Sequence, residues 1–223
     1  MLFLVTDTSG RQGSVALARA KDDRVKVIES APLTGGTFSA QLVPQVAGLL
    51  QKHGLDKKEI GALIVISGPG SFTGLRVGLA AIKALAEILR KPIVPVSLLE
   101  VLAVESASEG TVLAALDAGR GEVYVGEYSV SDGKARRVRE ELLPKARFLP
   151  EAREIRIATP SDELAALARD AGFTVSPKAL VGTGATAAIG WKKLQAGESV
   201  PPEQLDANYI RRSDAEIFSR PGA

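Results

Sequence analysis

Apolar positions along the chain follow two rhythms, and their alternation predicts the elements. Short apolar runs occur at Leu2–Ser9 (LFLVTDTS), Gly13–Ala20 (GSVALARA), Arg24–Ala31 (RVKVIESA) and Ala62–Ser67 (ALIVIS). Their length, β-branched content and polar boundaries predict four strands. Between the last two, Thr37–Gly54 changes period: Phe38, Leu42, Val46, Leu49 and Leu50 recur at helical spacing. Pro44 inside this first helix is expected to loosen it locally. A second helix is expected from Leu75, then a strand at Pro92–Ser97 and a third helix at Leu98–Ala107.

The second helix is the informative one. With Arg76 at zero and about 100° per residue, Lys83, Glu87 and Arg90 lie within about 40° of it, making one narrow polar stripe. The opposite face carries Gly74, Gly78, Ala81 and Leu85, and Val77, Leu79 and Ile82 are among the flanking residues. A surface helix is ordinarily apolar over about a third of its circumference. This one is apolar over most of it, so more than a single sheet must cover it. Each glycine inside a helix costs about 1 kcal/mol relative to alanine, so Gly74 and Gly78 point to a close backbone contact. Either other elements of the chain or a partner helix would satisfy that pattern.

The helix is preceded by Ser67–Gly78, SGPGSFTGLRVG, a glycine-rich strand-to-helix turn of the kind that holds phosphates. Its details argue otherwise. A P-loop requires Lys-Ser/Thr after its last glycine, and Gly74 is followed by Leu75 and Arg76. Gly68, Gly70 and Gly74 also have one residue too many for the dinucleotide fingerprint. Ser71 or Thr73 is placed to cap the helix internally.

The second half opens like the first. Residues 112–130, VLAALDAGRGEVYVGEYSV, repeat the order strand, aspartate, polar turn, strand. Asp7 and Asp117 each close an apolar run, followed by Gly13–Val15 and Gly121–Val123 as Gly-x-Val. Two unrelated hairpins would give the same match. Residues 131–158 are charged and carry prolines, and read as solvated connector until a strand at Glu154–Ala158. A helix follows from Ser161 to Gly172, then a strand, a glycine turn and a last helix within residues 178–197. The order βββαβα, roughly twice, is α/β and is what two actin-like lobes would produce.

Composition narrows the chemistry. The 223 residues include no cysteine, which excludes disulfides, thiolate metal sites and cysteine nucleophiles. His53 is the single histidine, and its place before Gly54 fits a helix end better than a catalytic base. Lys and Arg number 28 against 26 Asp and Glu, a net charge of +2 that demands neither nucleic acid nor membrane. Aromatics are 4%, too few for a base-stacking platform. The N-terminal run lacks a basic flank and a long apolar core, so it reads as a strand, and a cytoplasmic protein is expected.

The block GPGSFTGLRVGLAAIKALA, with VTDTS and GSVALA before it and ALDAGRGEVYVGEY after it, resembles the TsaB (YeaZ) family over nearly the whole chain. The terminal ANYIRRSDAE is similar to that family's closing Tyr-x-Arg segment. The resemblance implies two actin-like (ASKHA, ribonuclease H-like) lobes, here expected at 1–108 and 109–223, with the C-terminal segment packing back on the first. It implies a non-catalytic subunit in synthesis of threonylcarbamoyladenosine on tRNA, with no metal or cofactor of its own. Its partners would be the catalytic paralogue TsaD and the ATPase TsaE, with a homodimer in isolation and tRNA reached through the complex. TsaD holds its metal with a histidine pair, which a chain with one histidine lacks. Pairing through the first two helices would engage Phe38, Leu42, Val46, Leu49, Gly74, Val77, Gly78, Ala81 and Leu85. Where the family often has a histidine early in the first helix, this chain has Phe38, making that helix more apolar.

Two alternatives compete. A self-sufficient actin-like ATPase or kinase would use Asp7, Thr8, Ser9, Gly13, Asp117, Gly182 and Gly184 around a nucleotide. Direct tRNA contact would draw on Arg136, Arg137 and Arg139.

Overall fold

The protein is described by a computed structural model that covers residues 1–22, 24–152, 154–176 and 182–210. Strand β1 (Leu2–Asp7) is apolar at every position but the last two, and it forms the centre of the first sheet. β2 (Gln12–Lys21) and β3 (Arg24–Thr34) extend that sheet antiparallel on one side. β4 (Ile60–Gly68) and β5 (Ile93–Ser97) extend it in parallel on the other, giving the order β3-β2-β1-β4-β5. β4, buried at every position but Gly61 and with no alternation, is what a central strand covered on both faces requires.

Helices α1 (Phe38–Lys52) and α2 (Phe72–Leu89) cover one face of this sheet. α1 is helical through Pro44, whose ring lies on the exposed side. Leu42, Val46 and Leu49 join Leu75, Leu79 and Ile82 of α2 among the buried residues, each side chain contributing about 1.5–3 kcal/mol of burial. α3 (Leu98–Ser106) and α5 (Thr183–Gln195) cover the other face, where Val96, Val101, Ala187 and Ile189 pack with Phe3 and Ile64.

The second sheet repeats the first: β6 (Gly110–Gly119), β7 (Glu122–Ser131) and β8 (Lys134–Pro144) are antiparallel, and β9 (Arg156–Ala158) pairs in parallel with β6. The order is β8-β7-β6-β9. α4 (Asp162–Asp170) covers its outer face, with Ser161 capping as its position foretells. α3 lies between the sheets: Val101 packs on the first, and Leu99, Leu102 and Ala103 pack on the second. That double coverage explains why all residues from Leu98 to Ala103 are buried, Glu100 included.

Two features depart from the sequence pattern. Residues 134–144, expected as connector, form the eleven-residue edge strand β8, and charges on both its faces are how an exposed edge avoids pairing with other chains. The expected strand near residues 178–181 lies outside the described residues, and α5 sits on the first sheet rather than the second.

One polar cluster joins the two sheets. The Glu140 carboxylate on β8 accepts from Ser97 Oγ at 2.6 Å, from the Tyr128 hydroxyl and from Asn208 Nδ2 at 2.7 Å. Asn208 in turn donates its backbone N–H to Ser67 O at 2.8 Å. Burial, then the Glu140 charge, push the Tyr128 hydroxyl well above the usual tyrosine range, so it stays a donor. Lys193 of α5 pairs with Glu100 of α3 at 2.9 Å, and Lys192 donates to Asp132 O and Gly133 O in the β7–β8 turn.

Candidate functional site

The strand-to-helix turn is built against the end of β1. Ser71 caps α2, its Oγ accepting from Gly74 N at 3.2 Å, and its own N–H donates to Ser9 O at 2.7 Å. Two of the amides at the helix end that could attract an anion are thus engaged inside the chain. Gly68 has φ 129°, a conformation side chains rarely adopt, and this fixes the turn's glycine.

Gly74 and Gly78 meet the same segment. A Cβ at Gly74 would collide with Thr8 O, and one at Gly78 with Thr8 Oγ1. The close approach these glycines permit is therefore made to the chain's own β1–β2 turn. Phe38, Leu42, Val46 and Leu49 are buried in the first core, and Val77, Ala81 and Leu85 are half-buried beside it. The ring of Phe38 lies over Gly13, where a Cβ would be 3.0 Å from Phe38 Cε1.

Of the residues expected around a nucleotide, Asp7, Thr8 and Ser9 form one tight turn. Asp7 Oδ1 accepts from Ser9 N at 2.8 Å and Ser9 Oγ at 2.6 Å. Burial raises the Asp7 carboxyl above its ordinary 3.8, opposed by these two hydrogen bonds. Asp117 is exposed near the end of β6, where Oδ1 accepts from Gly119 N at 2.8 Å. Gly182 caps α5, and Gly184 lies beside Val27 of β3, with Thr183 Oγ1 3.4 Å from Ser30 Oγ. No hydrogen bond among the described residues joins these three groups. None of them lines the cavity of about 720 Å³ between the sheets, whose walls include Ser97, Glu100, Glu140, Lys193 and Asn208.

His53 ends α1, but its ring turns to β3 rather than to the helix carbonyls. Nε2 is 2.8 Å from Glu29 Oε2, and Lys52 Nζ is 2.7 Å from Oε1 of the same carboxylate. No group of three or more His, Cys, Asp or Glu among the described residues could hold a metal ion. No described helix is long and apolar enough to cross a membrane.

What α1 and α2 leave uncovered is an apolar surface. Ala40, Val43, Pro44, Ala47 and Gly48 are exposed on α1, and Ala80, Ala84 and Ile88 on α2. Val43 is 52% and Ile88 71% exposed. At the start of α2, exposed Phe72 lies under the Arg76 guanidinium at 3.9 Å, and Arg76 Nε donates to the Tyr209 hydroxyl at 3.3 Å. The wheel finds the excess of apolar positions, but it cannot tell which of them the chain covers itself. Tyr209 belongs to the expected closing segment, whose remainder from 211 lies outside the described residues.

The two sheets, each with three antiparallel strands followed by parallel ones, two in the first and one in the second, define an actin-like protein of two lobes. The chain belongs to the family described as TsaD, tRNA N6-adenosine threonylcarbamoyltransferase, matched over residues 33–193, in its TsaB (YeaZ) branch. It is 35% identical over 134 residues to the tRNA threonylcarbamoyladenosine biosynthesis protein TsaB of Bacillus subtilis, an alignment covering 60% of this chain and 57% of that protein. It is 38% identical over 132 residues to TsaB of Escherichia coli, covering 57% and 55%. In sequence, the chain spans just over half the length of these curated relatives. YeaZ from Pseudomonas aeruginosa superposes with a TM-score of 0.76 at 26% identity, over 93% of this chain and 99% of that one.

Proposed function

We propose that the chain acts in synthesis of threonylcarbamoyladenosine on tRNA as a non-catalytic subunit that pairs with the transferase TsaD through the outer face of α1 and α2. The observation that carries this is the uncovered apolar face itself. Val43, Ala47, Ala80, Ala84 and Ile88 present small and apolar side chains where a lone chain would place charge. Phe72, Arg76 and Tyr209 at the start of α2 supply the aromatic and arginine anchors that dominate binding energy at interfaces. The partner surface so proposed is the exposed side of the helix pair, not the buried Phe38, Leu42, Leu49 and Gly78. TsaE joins the pair in a larger assembly, and a second copy of this chain is the stand-in when TsaD is absent.

Mixing the chain with TsaD from the same cells tests this. A 1:1 complex by light scattering, and tRNA modification that depends on adding this chain, are expected. No complex, or modification unchanged without the chain, overturns the reading.

A second reading, a nucleotide site of its own, is favoured only by the buried Asp7 carboxyl at the end of β1. Its folded-state pKa lies above the unfolded value, so its stabilising contribution is complete below about 3.8 and is lost as pH rises through the folded value. Asp7→Asn, whose Oδ1 still accepts from Ser9, is therefore expected to melt higher than the parent at pH 7, with the gap closing toward pH 4. Thermal melts with and without magnesium and ATP separate the readings. A parent stabilised by nucleotide, and an Asn variant that is not, would establish the ATPase or kinase reading.

A further inference from the structure

A second surface, far along the sheet from the α2 turn, carries positive charge with no ion-pair partner among the described residues. Beyond the end of α1, the β2–β3 hairpin continues with no helix over its α1 face, while α5 covers the opposite one. Arg19 pairs in register with Lys26, and Lys21 with Arg24. Alternate residues of a strand share a face, and Val15 and Leu17, on the face of Arg19 and Lys21, pack under α1. All four cations therefore project on the α1 side and line one open groove with Ile28, His53 and Leu55. Asp22 at the hairpin tip is the single carboxylate among that groove's described lining residues. Glu29, the nearby acid on β3, is held below the usual carboxylate range by Lys52 first and then His53, and both its oxygens are engaged.

Like charges directly opposite one another on a hairpin destabilise it. Edge protection explains cations on β3, the outermost strand, but not Arg19 on β2, which lies between Leu2 of β1 and Lys26 of β3. A protein with a net charge of only +2 thus gathers four cations in one place, none of them ion-paired among the described residues. The arginine strip expected from the sequence is, by contrast, mostly neutralised: Arg139 pairs with Glu127 and Glu141, and Arg137 lies 3.6 Å from Glu140.

We propose that the groove formed by Arg19, Lys21, Arg24 and Lys26 binds the phosphodiester backbone of structured RNA. Successive cations on one strand are about 6.8 Å apart and the two strands about 5 Å apart, a two-row array of donors suited to a line of phosphates. The groove's described lining holds no Phe, Tyr or Trp, and its one ring, His53, is engaged by Glu29, so the contact is to the backbone and independent of base sequence. An anionic lipid surface would also attract the charge, but the groove offers no exposed apolar side chain to enter a bilayer: its apolar residues, Ile28 and Leu55, are half-buried in its floor. The choice of RNA rests on the proposed role in tRNA modification.

The test uses the full chain, alone and mixed with TsaD, and an unmodified tRNA transcript as probe. Lys21→Glu with Lys26→Glu is compared with the parent by fluorescence anisotropy between 50 and 200 mM salt. The variant is expected to bind at least fivefold more weakly. Its slope of log affinity against log salt should be shallower by about 2, near 0.9 per lost phosphate contact. Melting temperature checks that both chains are folded, and Lys21→Arg with Lys26→Arg should restore binding. Parent and Glu variant binding alike, or a parent that binds tRNA in neither sample, overturns the proposal. So does groove-dependent sedimentation with phosphatidylserine vesicles without groove-dependent tRNA binding. If the chain alone binds tRNA through the groove but forms no complex with TsaD, the pairing fails and the groove stands.

Discussion

Val43→Glu combined with Ile88→Glu is expected to weaken association with TsaD by more than a hundredfold while leaving the isolated chain folded. Both side chains are largely exposed, so neither glutamate is buried in the monomer. Surface substitutions of that kind change stability by about 0.5 kcal/mol or less. In a helix-to-helix contact the same carboxylates would be desolvated without a partner. Each unpaired buried charge costs about 3–5 kcal/mol, and a hundredfold loss corresponds to only about 2.7 kcal/mol. Light scattering of the mixture and a thermal melt of the variant alone check both halves. A variant that pairs like the parent would remove α1 and α2 from the interface. If a homodimer forms in isolation through the same face, the variant should also run as a monomer.

Gly74→Ala is expected to be among the most destabilising single substitutions in the chain, and Gly78→Ala nearly as severe. Alanine gains about 1 kcal/mol of helix propensity over glycine. Against that, a Cβ at Gly74 meets the backbone oxygen of Thr8, and one at Gly78 meets the Thr8 side chain, itself buried. Overpacking of this kind costs about 1–3 kcal/mol and more where backbone must move. Backbone blocks Gly74, so a net loss of roughly 2–3 kcal/mol is expected there, read by urea unfolding. Gly48 on α1 is the control, because a Cβ there meets nothing within 4 Å. Gly48→Ala should gain up to about 1 kcal/mol in the monomer. A bulky residue at Gly78 therefore tests the fold, whereas a charge at Val43 or Ile88 tests the partner.

Much of the fold is legible in the chain because periodicity is a local property. The period-2 and unbroken apolar runs mark β1, β2 and β4, and the change to helical spacing marks α1 and α2 within a few residues. β8 escapes because an edge strand has no strand on its free side to impose a pattern. Its alternating charges look like solvated connector until β7 is placed beside it. Asp7 and Asp117 illustrate the limits of a repeat. The repeat correctly puts each at the end of the first strand of its sheet, yet one is buried in a closed turn and the other exposed. The basic groove escapes for the same reason as β8. Lys21 and Arg24 look like an ordinary charged turn until the end of α1 leaves that part of the sheet bare.

By itself the sequence determined most of the strands and helices, and that α2 is too apolar for one sheet to cover. Those are consequences of spacing and side-chain type within a dozen residues. The tertiary structure alone decided what each apolar or small face meets. It turned Gly74 and Gly78 onto Thr8, laid α5 on the first sheet, buried Glu140 between the lobes, and left the outer side of α1 and α2 bare. The physical reason is that a helix or strand encodes the presence of a sticky face through its period. What covers that face comes from residues far away in the chain, whose approach no local spacing records.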